Sequence, residues 1–361
     1  MARLCDICAF QSGGTPSRQN PGYFNGDIPW VTTTALNGST ISLENANEWI
    51  TLKAIEESAA KLVPAHSILV GTRVGVGKVA INLVPMSTSQ DIISLIGIDQ
   101  NQWNLDFLCK FLSSKSAYLN SQARGATIKG IKIETLAELE LPNYSIPEQH
   151  LISSTFNSLE KSIFLRKQQL SKLDELVKSR FIEMFGDYRF NNKGFECKKG
   201  SELFKFSSGK FLPEEKRLEN GIPVYGGNGI AWYTEEALID FSTIIIGRVG
   251  AQCGNIHMVT TPVWITDNAI YIKEQKTKAY TLEFLTELMR MMDFYQYADF
   301  SGQPKITQKP LETLEYIMPP IELQREYTAF VEQIDKSKFE IQKSLEKLET
   351  LKKALMQKYF G

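Results

Sequence analysis

QHLISSTFNSLEKSIFLRKQQLSKLDELVKSRFIEMFG, residues 149–186, returns in diverged form as QREYTAFVEQIDKSKFEIQKSLEKLETLKKALMQKYFG, residues 324–361. Sliding the chain along itself by 175 residues aligns the two without a gap, from Gln149 on Gln324 to Gly186 on Gly361. Lys161/Lys336, Ser162/Ser337, Phe164/Phe339, Leu170/Leu345, Lys172/Lys347, Leu173/Leu348, Leu176/Leu351, Lys178/Lys353 and Phe185/Phe360 coincide. An ungapped match of this length marks a duplication, one copy closing each half of the chain.

Inside each copy, apolar residues recur at alternating steps of four and three. The first gives Ile152, Phe156, Leu159, Ile163, Leu170, Leu173, Val177 and Met184; the second gives Tyr327, Val331, Ile334, Ile341, Leu345, Leu348, Leu355 and Tyr359. This is a heptad seam, and it assigns these residues to helix pairing. Charge breaks it at Arg166 and Arg180 in one copy and at Lys338 and Lys352 in the other. The breaks fall in different heptads, which suits the two helices pairing with each other. Proline-marked links, LPNYSIPEQ and MPPIELQ, precede the copies and hold off helix until they begin. Some 33 helical residues would make a rod of roughly 50 Å.

The chain's 361 residues suit two domains with connectors rather than one. At 43% hydrophobic residues it can build real cores. No apolar run is long enough for a membrane span, and MARLCDICAF lacks a signal-peptide pattern, so a soluble cytoplasmic protein without a membrane partner is expected. Five cysteines at irregular spacing make no disulfide framework. Net charge is −1, and neither half is basic: residues 1–142 carry 11 Lys/Arg against 12 Asp/Glu, residues 187–320 carry 15 against 17. Any nucleic-acid site must therefore come from local clustering or a partner's help.

The first half opens with a short helix or strand over 4–10 and a Gly/Pro/Asn-rich loop, QSGGTPSRQNPGYFNGDIPWV. Apolar runs at 29–33, 67–70, 79–84 and 92–98 read as strands, 54–60 and 105–122 as helices. The second half repeats this order. Ile246-Gly247-Arg248-Val249-Gly250 answers Gly71-Thr72-Arg73-Val74-Gly75, and a helix over 282–297 answers 105–122. The fold class is α/β (α+β), two similar mixed domains sharing a frame and differing in the loops it presents.

Catalytic signatures are missing. GTRVGVGK has five residues between Gly71 and Gly77, and Val79 after Lys78 where a phosphate loop needs Ser or Thr, so it reads as a tight turn between strands. Cys5-Asp6-Ile7-Cys8 has no second pair at zinc spacing, and only three histidines exist. Met318-Pro319-Pro320-Ile321 lacks the flanking residues of an amino-methyltransferase motif. No catalytic or metal-ligating residue is assigned.

The order of variable domain, helix, variable domain, helix resembles the DNA specificity subunit of Type I restriction-modification systems. CDICAFQSGGTPSRQNPGYFNGDIPWV resembles that family's opening of its first target-recognition domain, IPVYGGNGI the matching segment of second domains, and the two links with their helices its central and distal conserved regions. The resemblance covers the whole chain. It implies target-recognition domains at 1–142 and 187–320, with helical regions at 143–186 and 321–361 pairing as an antiparallel coiled coil in pseudo-twofold relation. It implies a non-catalytic subunit whose domains each read half of a split double-stranded DNA site. The helices would set the gap and dock two methyltransferase subunits. S-adenosylmethionine, ATP and magnesium would belong to those and to restriction subunits, with no cofactor on this chain.

If DNA is the ligand, loop Arg, Lys, Asn, Gln, Ser and Thr read base edges, and Lys, Arg and backbone amides hold phosphates. The candidates are Thr15, Arg18, Gln19, Asn20, Thr32, Thr33, Thr34, Arg73, Lys78, Arg124, Lys129 and Lys132 in the first domain. In the second they are Lys210, Tyr225, Asn228, Arg248, Gln252, Asn255, Gln303, Lys305, Gln308 and Lys309. Arg73 and Arg248 are read as equivalent turn residues suited to a phosphate or to the turn itself. The rival readings are a protein-interaction module without DNA and an enzyme with an unrecognised site.

Overall fold

The computed structural model describes residues 2–125 and 130–361. Contacts divide the chain into two compact units, Met1–Arg166 with Ser344–Gly361, and Lys167–Lys343. This cut differs from the linear division at 142, 186 and 320, because each unit takes one end of both long helices.

In the first unit a five-stranded sheet runs in the order Ala9–Ser12, Ile92–Ile96, Ile68–Gly71, Val79–Asn82, Thr40–Ile41. The first four are antiparallel neighbours, and Thr40–Ile41 joins in parallel. Ile68–Gly71 and Val79–Asn82 are buried along their length, so ILVG and VAIN show no alternation. A second sheet has the order Glu48–Ile50, Phe24–Val31, Met86–Thr88, Leu62–Val63. Helix Leu105–Ser114 buries Phe107, Leu108, Phe111 and Leu112 in the core with Ile68, Val70 and Leu95. The single helix expected over 105–122 stops here and restarts as Ser116–Gln122. Lys115 N donates to both Phe111 O and Leu112 O, and the Ser114 hydroxyl donates a second bond to Phe111 O at 2.6 Å, tightening the last turn.

The second unit repeats the sheet order with Phe204–Ser208, Ala269–Gln275, Thr243–Gly247 and Ile256–Val259. Gly229–Thr234, Ile222–Gly226 and Trp264–Ile265 form a three-stranded sheet, and Glu196–Lys199 pairs with Glu315–Met318. Helix Leu282–Met291 ends before the expected 297, because Asp293 turns left-handed at φ 47° and only a 3-10 turn, Phe294–Tyr297, follows.

The long helices are Ile146–Phe185 and Ile321–Phe360, 40 residues each. In the first unit Phe156 stacks on Phe360 at 5.7 Å, and Glu160, one turn later, meets the earlier Lys352 at 2.8 Å. In the second unit Asp174 meets Lys338 at 2.6 Å while Arg180 meets Glu326 at 2.9 Å. Ascending numbers on one helix meet descending numbers on the other in each unit, so the helices run antiparallel. Ile152, Phe156, Leu159, Val177 and Leu345 are buried; Ile163, Leu170, Leu173, Val331, Ile334, Ile341, Leu348 and Leu355 are half-buried. The expected charge breaks are not gaps. Arg166, Arg180, Lys338 and Lys352 are half-buried in the same seam, and the last three extend their aliphatic stems to carboxylates on the opposite helix.

Each unit is locked to the start of its own long helix by a buried glutamine. Gln149 Oε1 accepts from Asn104 N at 2.9 Å while its Nε2 donates to Gln102 O and Tyr144 O. Gln324 Oε1 accepts from Thr281 N at 3.0 Å while its Nε2 donates to Ala279 O and Pro319 O. Asn104 and Thr281 are the N-caps of the two core helices, so one side chain ties cap, loop and long helix together.

Candidate nucleic-acid interface

The loop carrying Thr15, Arg18, Gln19 and Asn20 leaves the sheet edge at Gly13 and Gly14. Gly13 N donates to Ile92 O and Gly14 N to Thr88 O, and a Cβ on Gly13 would lie 2.2 Å from Ser89 O, so only glycine fits. Trp30 Nε1 donates to Gly14 O at 3.1 Å. In the second unit Gly209 N donates to Ala269 O and Lys210 N to Ile265 O, with Trp264 Nε1 on Lys210 O at 3.0 Å. Lys210 thus occupies the place of Gly14 and puts an exposed cation where the first unit has no side chain.

GTRVGVGK is a hairpin turn, closed by Gly71 N to Lys78 O and Gly77 N to Gly71 O; the second unit closes its turn by Gly247 N to Asn255 O and Gly254 N to Gly247 O. These bonds correct one alignment. Thr72 N bonds to Asp91 O and Arg248 N to Asn268 O, while Ile131 N and Ile306 N bond to Thr72 O and Arg248 O. Arg248 therefore stands where Thr72 does, and Arg73 corresponds to Val249. The ungapped comparison pairs Gly71 with Ile246 and so is one residue out of step where the turns begin, at Gly71 and Gly247. Beside each turn a reciprocal bridge pairs two described residues, Arg124 with Gly130 in the first unit and Asp299 with Lys305 in the second.

Several candidates do converge. Thr32, Thr34 and Asn47 form one network: Asn47 Oδ1 accepts from Thr32 N at 2.8 Å, and Asn47 Nδ2 donates to Thr34 Oγ1 at 3.1 Å. In the second unit Asn255 Nδ2 donates to Asn228 Oδ1 and Gln252 Oε1, both at 3.0 Å, and Gln303 Nε2 lies beside Gly250 in the same turn. Tyr225 faces His257 at 5.9 Å between ring centres. Burial first, and Arg290 second, lower the His257 pKa, so the ring stays neutral at pH 7.

Others are otherwise engaged. Thr33 is buried. Arg18 pairs with Glu48 at 2.7 Å, Asn20 caps its own turn through Gly22 N at 3.1 Å, and Gln308 Nε2 reaches Ser208 Oγ at 3.4 Å. Thr15 is half-buried; Gln19, Arg73, Lys78, Arg124, Lys132, Lys305 and Lys309 are exposed, and Lys129 lies outside the described residues. Asn47 and the exposed pair Tyr295 and Phe300, 5.2 Å apart, lie outside the sheets and long helices and carry no periodic signal, while His257 lies within the strand Ile256–Val259 and only the fold brings it to Tyr225. Burial, then Cys5, push the Cys8 thiol up to about 12, so it stays protonated at pH 7. Among the described residues no cluster of His, Cys, Asp and Glu could hold a metal.

The sequence family described as Type I restriction modification DNA specificity domain matches residues 1–175 and 192–353. The chain belongs to this family. It is 24% identical over 354 residues to the EcoprrI specificity subunit of Escherichia coli, covering 92% of this chain and 86% of that one. It is 29% identical over 230 residues to the MjaIX specificity subunit of Methanocaldococcus jannaschii, a match spanning 59% of this chain and 53% of the relative. The fold is that of the Type I S subunit solved from M. genitalium, with a TM-score of 0.67 at 20% identity over 100% of this chain and 95% of that one. The convergent polar groups sit on loops between frame elements that the two units share.

Proposed function

We propose that this chain is the DNA specificity subunit of a Type I restriction-modification complex, each unit reading one half of a bipartite double-stranded site. The observation that carries this is one frame presenting two different polar sets. The turns are closed by equivalent backbone bonds, yet one unit offers Thr32, Thr34 and Asn47 and the other Asn228, Gln252 and Asn255. Amides and hydroxyls of this kind can discriminate bases, while exposed Arg73, Lys78, Arg124, Lys210 and Lys305 suit phosphates. The antiparallel helices act as spacer and as docking surface for two methyltransferase subunits, which bring S-adenosylmethionine. Restriction subunits bring ATP- and magnesium-dependent cleavage, and the complex works in the cytoplasm. No helix among the described residues is long and apolar enough to cross a membrane. The test is to exchange residues 1–142 for another family member's first domain and map adenine methylation with the partner subunits present. One half of the recognised sequence should change; alteration of both halves would overturn independent reading.

A further inference from the structure

The two units part beside the turn that each closes in the same way. Gly77 and Gly254 both donate to the first glycine of their turns, and each lies tight against the element behind it. A Cβ on Gly77 would lie 2.8 Å from Ser116 Cα, and one on Gly254 would lie 2.6 Å from Tyr295 N. Ser116 thus stands where Tyr295 does. The bridges Arg124 to Gly130 and Asp299 to Lys305 span the same number of residues and align Gly125 with Phe300. The first unit has a hydroxyl and a bare glycine where the second has two rings.

The core does not take up those rings. Phe294 is fully buried and anchors the 3-10 turn, while Tyr295 and Phe300 are 40% and 54% exposed and meet edge to face. Their loop is tied to the turn that carries Arg248 and Gln252: Gly250 N donates to Pro304 O, Ile306 N donates to Arg248 O, and Val249 bridges Lys305. Gln303 and Lys305 of the same loop are exposed beside them, within the polar set proposed above for the second half-site. The one carboxylate of residues 298–306, Asp299, accepts from Ser301 N at 2.9 Å. Exposed rings flanked by cations and amides make a base-stacking platform. Lysine is depleted at the core of protein interfaces, which favours nucleic acid here.

Base faces in a duplex are covered by their neighbours, so stacking on them needs an opened step. A DNA methyltransferase opens one by drawing its target base out of the helix. We infer that Tyr295 and Phe300 stack on the bases uncovered when the target adenine of the second half-site leaves the duplex, and so hold that gap open. This rests on the subunit reading above. With Ser116 and Gly125 at the matching places, the first unit has no such plate, so the two half-sites are opened by unequal means.

The test uses the full chain assembled with its methyltransferase subunits, and duplexes carrying the site mapped by methylation. 2-Aminopurine replaces the target adenine of one half-site or the other and brightens when it leaves the stack; thermal melting checks folding. Tyr295→Ala combined with Phe300→Ala should lower the opening equilibrium of the second half-site about tenfold and leave the first unchanged. Phe300→Ala alone serves if the double variant does not fold. Phe300→Trp should keep the brightening and Phe300→Leu should lose it, which separates stacking from apolar filling. Folded variants that brighten as wild type, equal loss at both half-sites, or leucine serving as well as tryptophan would each overturn the inference and leave the subunit reading standing. Variants that lose the methyltransferase subunits in the absence of DNA would assign the rings to protein docking and overturn it too. A wild-type complex that methylates no DNA would overturn both.

Discussion

Gln149 and Gln324 each accept from an N-cap amide and donate to two carbonyls, although the residues around them differ. The loops at the sheet ends share no such detail: a threonine–asparagine network on one side faces an amide cluster on the other. Backbone bonding tolerates sequence drift because every residue but proline supplies both N–H and C=O, whereas the base-reading groups a loop offers depend on its side chains. Duplication therefore preserved the frame and released the presented groups.

The comparison can be broken most forcefully at the helix ends. Phe360 closes the first unit against Phe107 at 5.3 Å and Phe156, and its repeat counterpart Phe185 closes the second against Phe284 at 4.9 Å. Phe360→Ala should cost about 3–5 kcal/mol, and hydrogen exchange should show protection lost in 105–114 but kept in 282–291. Phe185→Ala should give the reverse, and equal loss in both segments from either variant would contradict two units. Next, Gln324→Ala leaves the Thr281 amide and two carbonyls without their partner and should cost about 1–3 kcal/mol in urea titration, with Gln149→Ala matching it; a large inequality would show that the clamps are not equivalent.

Acid should separate the units more gently. Burial works to raise the Glu160 carboxyl, but hydrogen bonds and charge from Lys110 and Lys352 outweigh it and hold the pKa below the usual glutamate value. A depressed folded pKa gives stability that is full above the unfolded value of 4.5 and lost as pH falls through the lower folded one. Glu160→Gln should flatten the acid limb of the first unit's melting profile, and an unchanged limb would remove the ion triad from the comparison. Smallest is Arg18→Ala. Its pair with Glu48 is exposed, so the melting temperature should not move, while any change in DNA affinity would report contact directly.

The repeat and seam were legible because helices declare themselves by period. Even Arg180, Lys338 and Lys352 kept the period, though their charge concealed that they belong to it. Two-residue strands such as Thr40–Ile41 and Leu62–Val63 are too short to show alternation, and the one-residue offset between Arg73 and Arg248 became visible only through hydrogen bonds. The Thr32–Thr34–Asn47 network joins residues 15 apart in sequence, and the Lys110–Glu160 pair residues 50 apart. Such pairings depend on the fold and leave no local trace.

The chain's division has a consequence for its making. The first unit contains residues 344–361, so Phe156, Phe107 and Phe111 must wait, with apolar faces uncovered, while the whole second unit is synthesised. At ordinary translation speeds that interval is on the order of 10 s. The second unit, contiguous from Lys167 to Lys343, meets no such delay. On the ribosome the later half can finish first, and the earlier half is the one exposed to chaperones and to pairing with the wrong chain.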